Sequence, residues 1–211
     1  HPFSSYCQKV LVALYENDVP FEYRHLDEGD HMRELAELWP MKRFPILVDG
    51  TRTVIEATSI IEYLHVCRPG PVRLMPIDPL AAVGVRMLDR FFDNYVSTPQ
   101  QKIVFDALRP AADRDARGVA EARAMLDTAY AWLERHLEDG RSWASGEEFS
   151  LADCAAAPFL FYSDWTQPIP LARRRLRAYR QRLLQRPSFA CVVDEARPYR
   201  HFFPLATLDR D

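Results

Sequence analysis

The sequence predicts a short α/β unit over residues 1–75 followed by an all-helical domain over residues 76–211. Three observations carry this. Helix-like and strand-like segments alternate up to Glu56, no strand-like alternation with turn signals follows, and CRPGPVRLMPIDP (67–79), with four prolines and a glycine, separates the two rhythms.

Cys7, Val10, Leu11 and Leu14 recur at i, i+3, i+4 and i+7, one face of a helix that Asn17-Asp18-Val19-Pro20 stops. A helix beginning near Ser5 or Tyr6 puts Ser4 at its N-cap, where a hydroxyl meets the free N–H groups of the first turn. The same helix end, carrying about half a positive charge, equally suits an anion such as a thiolate, with the serine donating one hydrogen bond. Spacing leaves both roles open. FEYRH (21–25) reads as a short alternating strand, and DHMRELAEL (30–38) as a second helix stopped before Pro40. FPILVDG and TRTVIE read as two strands joined at Asp49-Gly50, a strong hairpin signal. Ala57, Ile60, Ile61 and Leu64 give a third helical face. This order leaves the sheet without an opening strand, so one preceding residue 1 is expected.

Beyond residue 76 the pattern is helical. Gly84, Met87, Leu88, Phe91 and Tyr95 mark one face; Leu126, Ala129, Tyr130, Leu133 and Leu137 mark another. In FSLADC (149–154), Ser150 with Asp153 three residues later resembles a capping box, and Phe149 is placed to staple it. Pro158 should kink the helix that follows or disturb its ladder.

Apolar residues at 48% and charged residues at 27% of 211 describe an ordinary globular protein, with no apolar run long enough to span a bilayer. No signal peptide precedes the fold, so cytoplasm is expected. The four cysteines lie far apart and the six histidines are scattered, which predicts neither a disulfide scaffold nor a metal site. Residues 1–75 hold 8 Lys/Arg against 11 Asp/Glu, and the remainder 19 against 19, so neither half has the positive excess of a nucleic-acid binder. ARRRLRAYRQR (172–182) packs six arginines into eleven positions and reads as an amphipathic helix with a solvated basic face.

HPFSSYCQKVLVALYENDVPFEYR, RFPILVDG, VIEATSIIEYL and FSLADCAAAPFL, in that order, resemble the glutathione transferase family. The resemblance covers nearly the whole chain. It implies a thioredoxin-like N-terminal domain (1–75) that binds glutathione, and a helical C-terminal domain (76–211) that contributes the electrophile pocket. Glutathione is then a co-substrate, no metal is needed, and the chain is expected to form a homodimer that engages neither nucleic acid nor membrane.

The resemblance also implies residue roles. The residue that contacts the glutathione sulfur falls on Ser4, six before the aliphatic Val10, with Ser5 the substitute if the register slips by one. Cys7 points to the apolar face and reads as core. Pro45 matches a cis-proline whose preceding residue, Phe44, offers its backbone to the cysteinyl part. Arg43 matches a basic residue that meets the glycine carboxylate, a task suited to a guanidinium. Glu56 matches the acid that meets the γ-glutamyl amino group. Ala57 departs from the usual serine, with Thr58 the nearest hydroxyl to compensate and a loss of about 1 kcal/mol expected for one hydrogen bond. Phe3, Tyr6, Tyr95 and Trp165 are the candidates for the electrophile pocket, Tyr95 and Trp165 because they sit among polar residues in DNYVSTPQQK and SDWTQP.

The activity so implied is detoxification-type transfer: the glutathione thiol, activated as thiolate, attacks a small hydrophobic electrophile. Two alternatives keep the fold. SSYC somewhat resembles the serine-serine-cysteine turn of the zeta class, whose members isomerise a maleyl double bond, although Tyr6 stands where that class has cysteine. A non-catalytic interaction module, as in stringent-starvation-like proteins, is the other, and Ala57 favours it mildly. Intersubunit contacts between Arg86 or Arg90 and Asp49 or Glu62 are conjectured for the dimer.

Overall fold

The computed structural model describes residues 1–206 and assigns nine α-helices and a two-stranded sheet among them. α1 (Ser5–Glu16) starts at the expected cap and ends where Asp18 takes a φ of 49°. Residues 7–14 are buried on every side, Gln8 and Lys9 included, so α1 is an interior helix and not an amphipathic surface one. α2 (His31–Leu38) buries only Leu35. β1 (Ile46–Asp49) and β2 (Arg52–Ile55) pair antiparallel, Ile46 opposite Ile55 and Asp49 opposite Arg52. Gly50 turns the hairpin at φ 61°, which glycine adopts without a Cβ penalty. α3 (Ala57–Cys67) follows at once and packs its buried residues Ala57, Ile60, Ile61 and Leu64 toward the α1 side.

FEYRH differs from its expected state. Residues 21–25 are not assigned as a strand and pair with none among the described residues. A cavity of about 1020 Å³ lies between this segment, α1 and the hairpin, lined by Leu11, Leu14, Phe21, Tyr23, Ile46 and Leu47 among others. Strand structure is made by ladder hydrogen bonds, so an alternating segment without a neighbour does not form one.

The proline-rich connection is anchored at both ends. Val72 N–H donates to Asn17 Oδ1 at 2.9 Å, and the carbonyl of buried Leu74 accepts from Leu151 N–H at 2.9 Å. α4 (Pro79–Phe91) is capped by Asp78, whose carboxylate accepts from Ala81 N–H at 2.7 Å. A π-helical turn (Phe92–Ser97) joins it to α5 (Thr98–Ala107). The apolar face of this stretch is rotated from the expected one: Ala82, Val85, Leu88 and Phe92 are inside, whereas Met87 and Tyr95 are exposed. The π turn contributes for Tyr95, because an i to i+5 turn moves later residues off the 3.6-residue period.

α6 (Ala116–His136) buries Leu126, Ala129, Tyr130 and Leu133. α7 (Leu151–Thr166) is buried along its entire length and is the axis of the helical domain, packing against α1, α4 and the π turn. It begins at the expected capping box and continues through Pro158. α8 (Arg174–Gln185) and α9 (Pro187–Ala196) close the domain, α9 against α1.

The arginine-rich segment is the expected amphipathic helix, with Leu176, Tyr179 and Leu183 inside and most arginines exposed, except that Arg180 is buried. Arg175 reaches Glu134 at 3.5 Å, Arg180 reaches Asp164 at 3.3 Å, and Arg177 and Arg182 donate to the carbonyls of Ile169 and Ser142. The residues conjectured for intersubunit pairs all have charged partners inside the chain. Arg86 holds Glu62 at 2.7 and 2.9 Å, Arg68 holds Asp49 at 2.8 Å, and Arg90 pairs with Asp89 and Asp93.

Candidate functional site

Ser4 closes the turn that leads into α1, with φ −80° and ψ 122°, the extended geometry of an N-cap. Its Oγ accepts from Cys7 N–H at 3.4 Å, a long contact. That contact uses a lone pair and leaves the hydroxyl proton, which no described group accepts. The first turn of α1 holds no acidic residue to neutralise the helix end. One hydroxyl can therefore start the helix and still donate to an anion. Ser5, the first helical residue, is half-buried beside it, and Cys7 is buried.

Arg43, Phe44 and Pro45 occupy the loop entering β1, and the Phe44–Pro45 peptide bond is cis. Arg43 and Phe44 are exposed; among the described residues no backbone group bonds the Phe44 N–H or C=O. Phe44 and Pro45 border the same cavity as His1 and Cys7, so this loop and the start of α1 face one space. Glu56 is the N-cap of α3 at φ 66°, ψ 121°. A non-glycine residue held there stores about 1–3 kcal/mol of strain, a condition that clusters at ligand clamps. The Glu56 carboxylate is exposed, and among the described residues it has no hydrogen-bond or ion-pair partner.

Ala57 is buried and offers no hydroxyl, and Thr58 does not replace one. The Thr58 hydroxyl donates to Asp89 Oδ2 at 2.8 Å and accepts from Lys9 Nζ at 2.9 Å and Arg90 Nη2 at 2.6 Å. A hydroxyl has one proton and two lone pairs, so its capacity is spent. The compensation expected of the Thr58 side chain is therefore corrected; what remains at this point is backbone N–H at a helix start. Lys9 and Asp89, both fully buried, form an ion pair that joins α1 to α4 through the first turn of α3.

The four aromatic candidates for the electrophile pocket do not share one cavity. Trp165 is only 5% exposed and packs with Phe3, Phe161 and Phe203 under the Arg200 guanidinium. Its polar sequence neighbours are buried too: Ser163 and Thr166 donate to the carbonyls of Leu160 and Tyr162, and Asp164 accepts from Ile169 N–H. Trp165 is thus core, and Phe3 stacks edge-on to Tyr162 at 5.2 Å beside it. Tyr6 points the other way, donating to Asp93 at 2.5 Å and accepting from Ser97 at 3.4 Å. Burial, and then the Asp93 hydrogen bond, push its hydroxyl up to about 12. Gln101 donates to Ser97 at 2.8 Å, and exposed Tyr95 lies against Phe91. The α4–α5 side of the Ser4 turn is consequently polar, unlike the apolar lining expected.

Gln8, Lys9, Asp89 and Tyr162 escaped the sequence reading. A signal exists for the first two: Val10 to Leu14 are apolar on every face, so polar residues just ahead of them stood to be buried. Asp89 and Tyr162 lie 80 and 154 positions from their partners, beyond any local pattern.

Comparisons with known proteins agree with this architecture. The profile of the glutathione S-transferase N-terminal domain matches residues 1–71, and that of the glutathione S-transferase C-terminal domain matches residues 115–182. A stringent starvation protein A homolog of Coxiella burnetii is 25% identical over 92% of this chain and 90% of that protein. Glutathione S-transferase GstB of Escherichia coli K12 is 26% identical over 90% of this chain and 93% of that protein. A crystal structure of a Methylobacterium radiotolerans glutathione S-transferase, complexed with glutathione sulfonate, superposes with a TM-score of 0.75 at 28% identity, over 99% of this chain and 94% of that one.

Proposed function

The chain belongs to the glutathione S-transferase family, and from that premise we propose that it binds glutathione across the start of α1, the 43–45 loop and the start of α3, and activates its thiol for attack on an electrophile. The observation that carries the reading is Ser4, a cap whose proton remains to be donated at an unneutralised helix end. A free thiol with pKa near 8.5 is about 3% ionised at pH 7. Lowering that pKa by about two units, worth about 2.7 kcal/mol, makes most of the bound thiol a thiolate. Glu56 would hold the γ-glutamyl amino group, Arg43 the glycine carboxylate, and the Phe44 backbone the cysteinyl part. Ser5 is the reserve donor to sulfur. Ala57 and the backbone of Thr58 would offer N–H groups to the γ-glutamyl carboxylate.

The electrophile would lie on the Tyr6 and Tyr95 side of the Ser4 turn, and Phe3, packed on Tyr162, is left out of its pocket. Trp165 is left out because it is core. With Tyr6, Asp93 and Ser97 on that side, a co-substrate with hydrogen-bonding groups suits the site better than a purely hydrophobic one. We place the domain boundary at residues 75 and 76.

The test is a titration of the thiolate absorbance of bound glutathione. In Ser4→Ala the thiol pKa should rise by about 1–2 units, the value of a hydrogen bond to a charged group. Turnover of an aryl halide near neutral pH should fall about tenfold or more. A bound thiol that titrates alike in both proteins would remove Ser4 from the chemistry.

One observation favours a second reading. The missing serine at Ala57 and the spent hydroxyl of Thr58 weaken the γ-glutamyl end, and relatives named stringent starvation protein A homologs stand beside the transferases. Failure to bind glutathione at millimolar concentration would make a non-catalytic interaction module the better account.

A homodimer is also proposed. Ile77, just ahead of α4, and Leu80, Val83 and Met87 on it are 77, 79, 58 and 58% exposed, an apolar stripe with no cover in the single chain. Sedimentation should give a dimer at micromolar concentration and a monomer for Leu80→Glu/Met87→Glu; a monomeric wild-type protein would refute it.

A further inference from the structure

We propose that Gln8 and Tyr162 are positioning residues: a hydrogen-bonded clamp from the helical domain that fixes the peptide plane entering Ser4 and so aims its hydroxyl. The inference rests on the functional reading above and concerns how that hydroxyl is held. Gln8 is fully buried on α1 and Tyr162 nearly so on α7. The Gln8 amide donates to the carbonyl of Pro2 at 2.9 Å and to Tyr162 Oη at 2.9 Å. Tyr162 Oη in turn donates to the carbonyl of Phe3 at 3.0 Å.

Donor and acceptor roles in this chain of bonds are fixed by chemistry. An amide NH2 has two protons, and each has one acceptor here; a phenol has one proton, and it goes to Phe3. Burial pushes the Tyr162 hydroxyl up, so it keeps that proton through the whole neutral range. The Phe3 carbonyl and the Ser4 N–H belong to one rigid peptide plane. Tyr162 holds the carbonyl end, and the Ser4 N–H donates to the His1 carbonyl at 2.9 Å at the other end. With this plane held at both ends and the Ser4 carbonyl accepting from Gln8 N–H at 2.9 Å, the Ser4 φ of −80° and with it the Cα–Cβ direction are held. The Phe3 ring against the Tyr162 ring at 5.2 Å adds packing on the same side. The Ser4 hydroxyl itself makes only the 3.4 Å capping contact, too long to fix its orientation alone. Among the bonds that aim the hydroxyl, the one to the Phe3 carbonyl thus comes from α7, in the other domain.

Tyr162→Phe keeps the ring and removes the bond, and Gln8→Leu removes the amide at similar volume. In Tyr162→Phe the pKa of the bound glutathione thiol should rise by about half a unit or more, part of the shift Ser4 supplies. Affinity for S-methylglutathione, which has no thiol to ionise, should stay within about twofold. The substitution should add nothing to the thiol pKa in a Ser4→Ala background, because the clamp acts only through Ser4. Gln8→Leu should shift the thiol in the same direction. An unshifted thiol in both folded variants, an equal shift with and without Ser4, or a loss of S-methylglutathione affinity matching the loss for glutathione would each overturn the clamp. A Ser4→Ala protein whose thiol titrates as in wild type would overturn the functional reading and the clamp together; a shifted Ser4→Ala with an unshifted Tyr162→Phe overturns the clamp alone.

Discussion

Replacing Asp89 with alanine is expected to destabilise the protein by about 3–5 kcal/mol, because it strands a buried lysine. Lys9 and Asp89 are both inaccessible to water, and the Lys9 ammonium has Asp89 and the Thr58 hydroxyl as its only hydrogen-bond partners among the described residues. Without the carboxylate, the ammonium must stay charged in an apolar site, against the Phe159 ring, or give up its proton. Arg90 and Thr58 each lose an acceptor as well. Removing both charges should be far milder. In Lys9→Met/Asp89→Leu the pair is replaced by apolar groups of similar size, and such exchanges are often neutral or stabilising. Urea denaturation of the two single variants and the double would read this directly. Single substitutions costing less than about 1 kcal/mol would show that water reaches the pair. The same cycle has a functional side: the double variant leaves Thr58 only its bond from Arg90, so a stable double variant should still bind glutathione less tightly than wild type.

This ion pair also marks the limit of what the sequence disclosed. The hairpin at 46–55 was legible because Asp49-Gly50 fixes the turn and the flanking alternation fixes the faces, both local properties. The start of α1 was legible for the same reason, since a serine before an apolar period is a cap in any context. FEYRH was not, because alternation states a preference and a strand needs a neighbour. Trp165 was placed at a pocket on the polarity of SDWTQP, yet those neighbours are polar groups satisfied inside the buried α7. Tyr95 and Met87 were put on an inward face; the π turn at 92–97 displaces the first, and the second belongs to the uncovered stripe of α4. In the candidate site, Ser4, Phe44, Pro45 and Glu56 came from a resemblance read motif by motif. The groups packed behind Ser4 and Thr58, namely Gln8, Tyr162, Lys9 and Asp89, act through contacts between segments far apart in the chain, and one sequence carries no record of those.

Asp153 should rank with Asp89 in its effect on stability, for a different reason. Its Oδ1 accepts from Ala144 N–H at 2.8 Å and from the Tyr179 hydroxyl at 2.6 Å; its Oδ2 accepts from the N–H and the hydroxyl of Ser150, both at 2.9 Å. Burial pushes the carboxyl up while these four donors work to keep it ionised. Asp153→Ala would leave two backbone N–H groups and a tyrosine hydroxyl buried without acceptors, each worth about 1–3 kcal/mol, in addition to a cap worth about 1 kcal/mol. These losses overlap, so about 3–5 kcal/mol in total is expected. Asp153→Asn should fall between Asp153→Ala and wild type: its oxygen can serve Ala144 and Tyr179, but its NH2 would face the Ser150 donors. Ser150→Ala removes one hydroxyl and should cost about 1 kcal/mol. The order matters more than any single value, because it separates a local cap from a junction that ties α7, α8 and the 142–150 loop together. If Ser150→Ala proved as damaging as Asp153→Ala, only the cap would count. If the expected order holds, the start of α7, the helix that carries Tyr162, is fastened by a carboxylate serving three segments, and loosening it should raise the pKa of the bound thiol even in protein that stays folded.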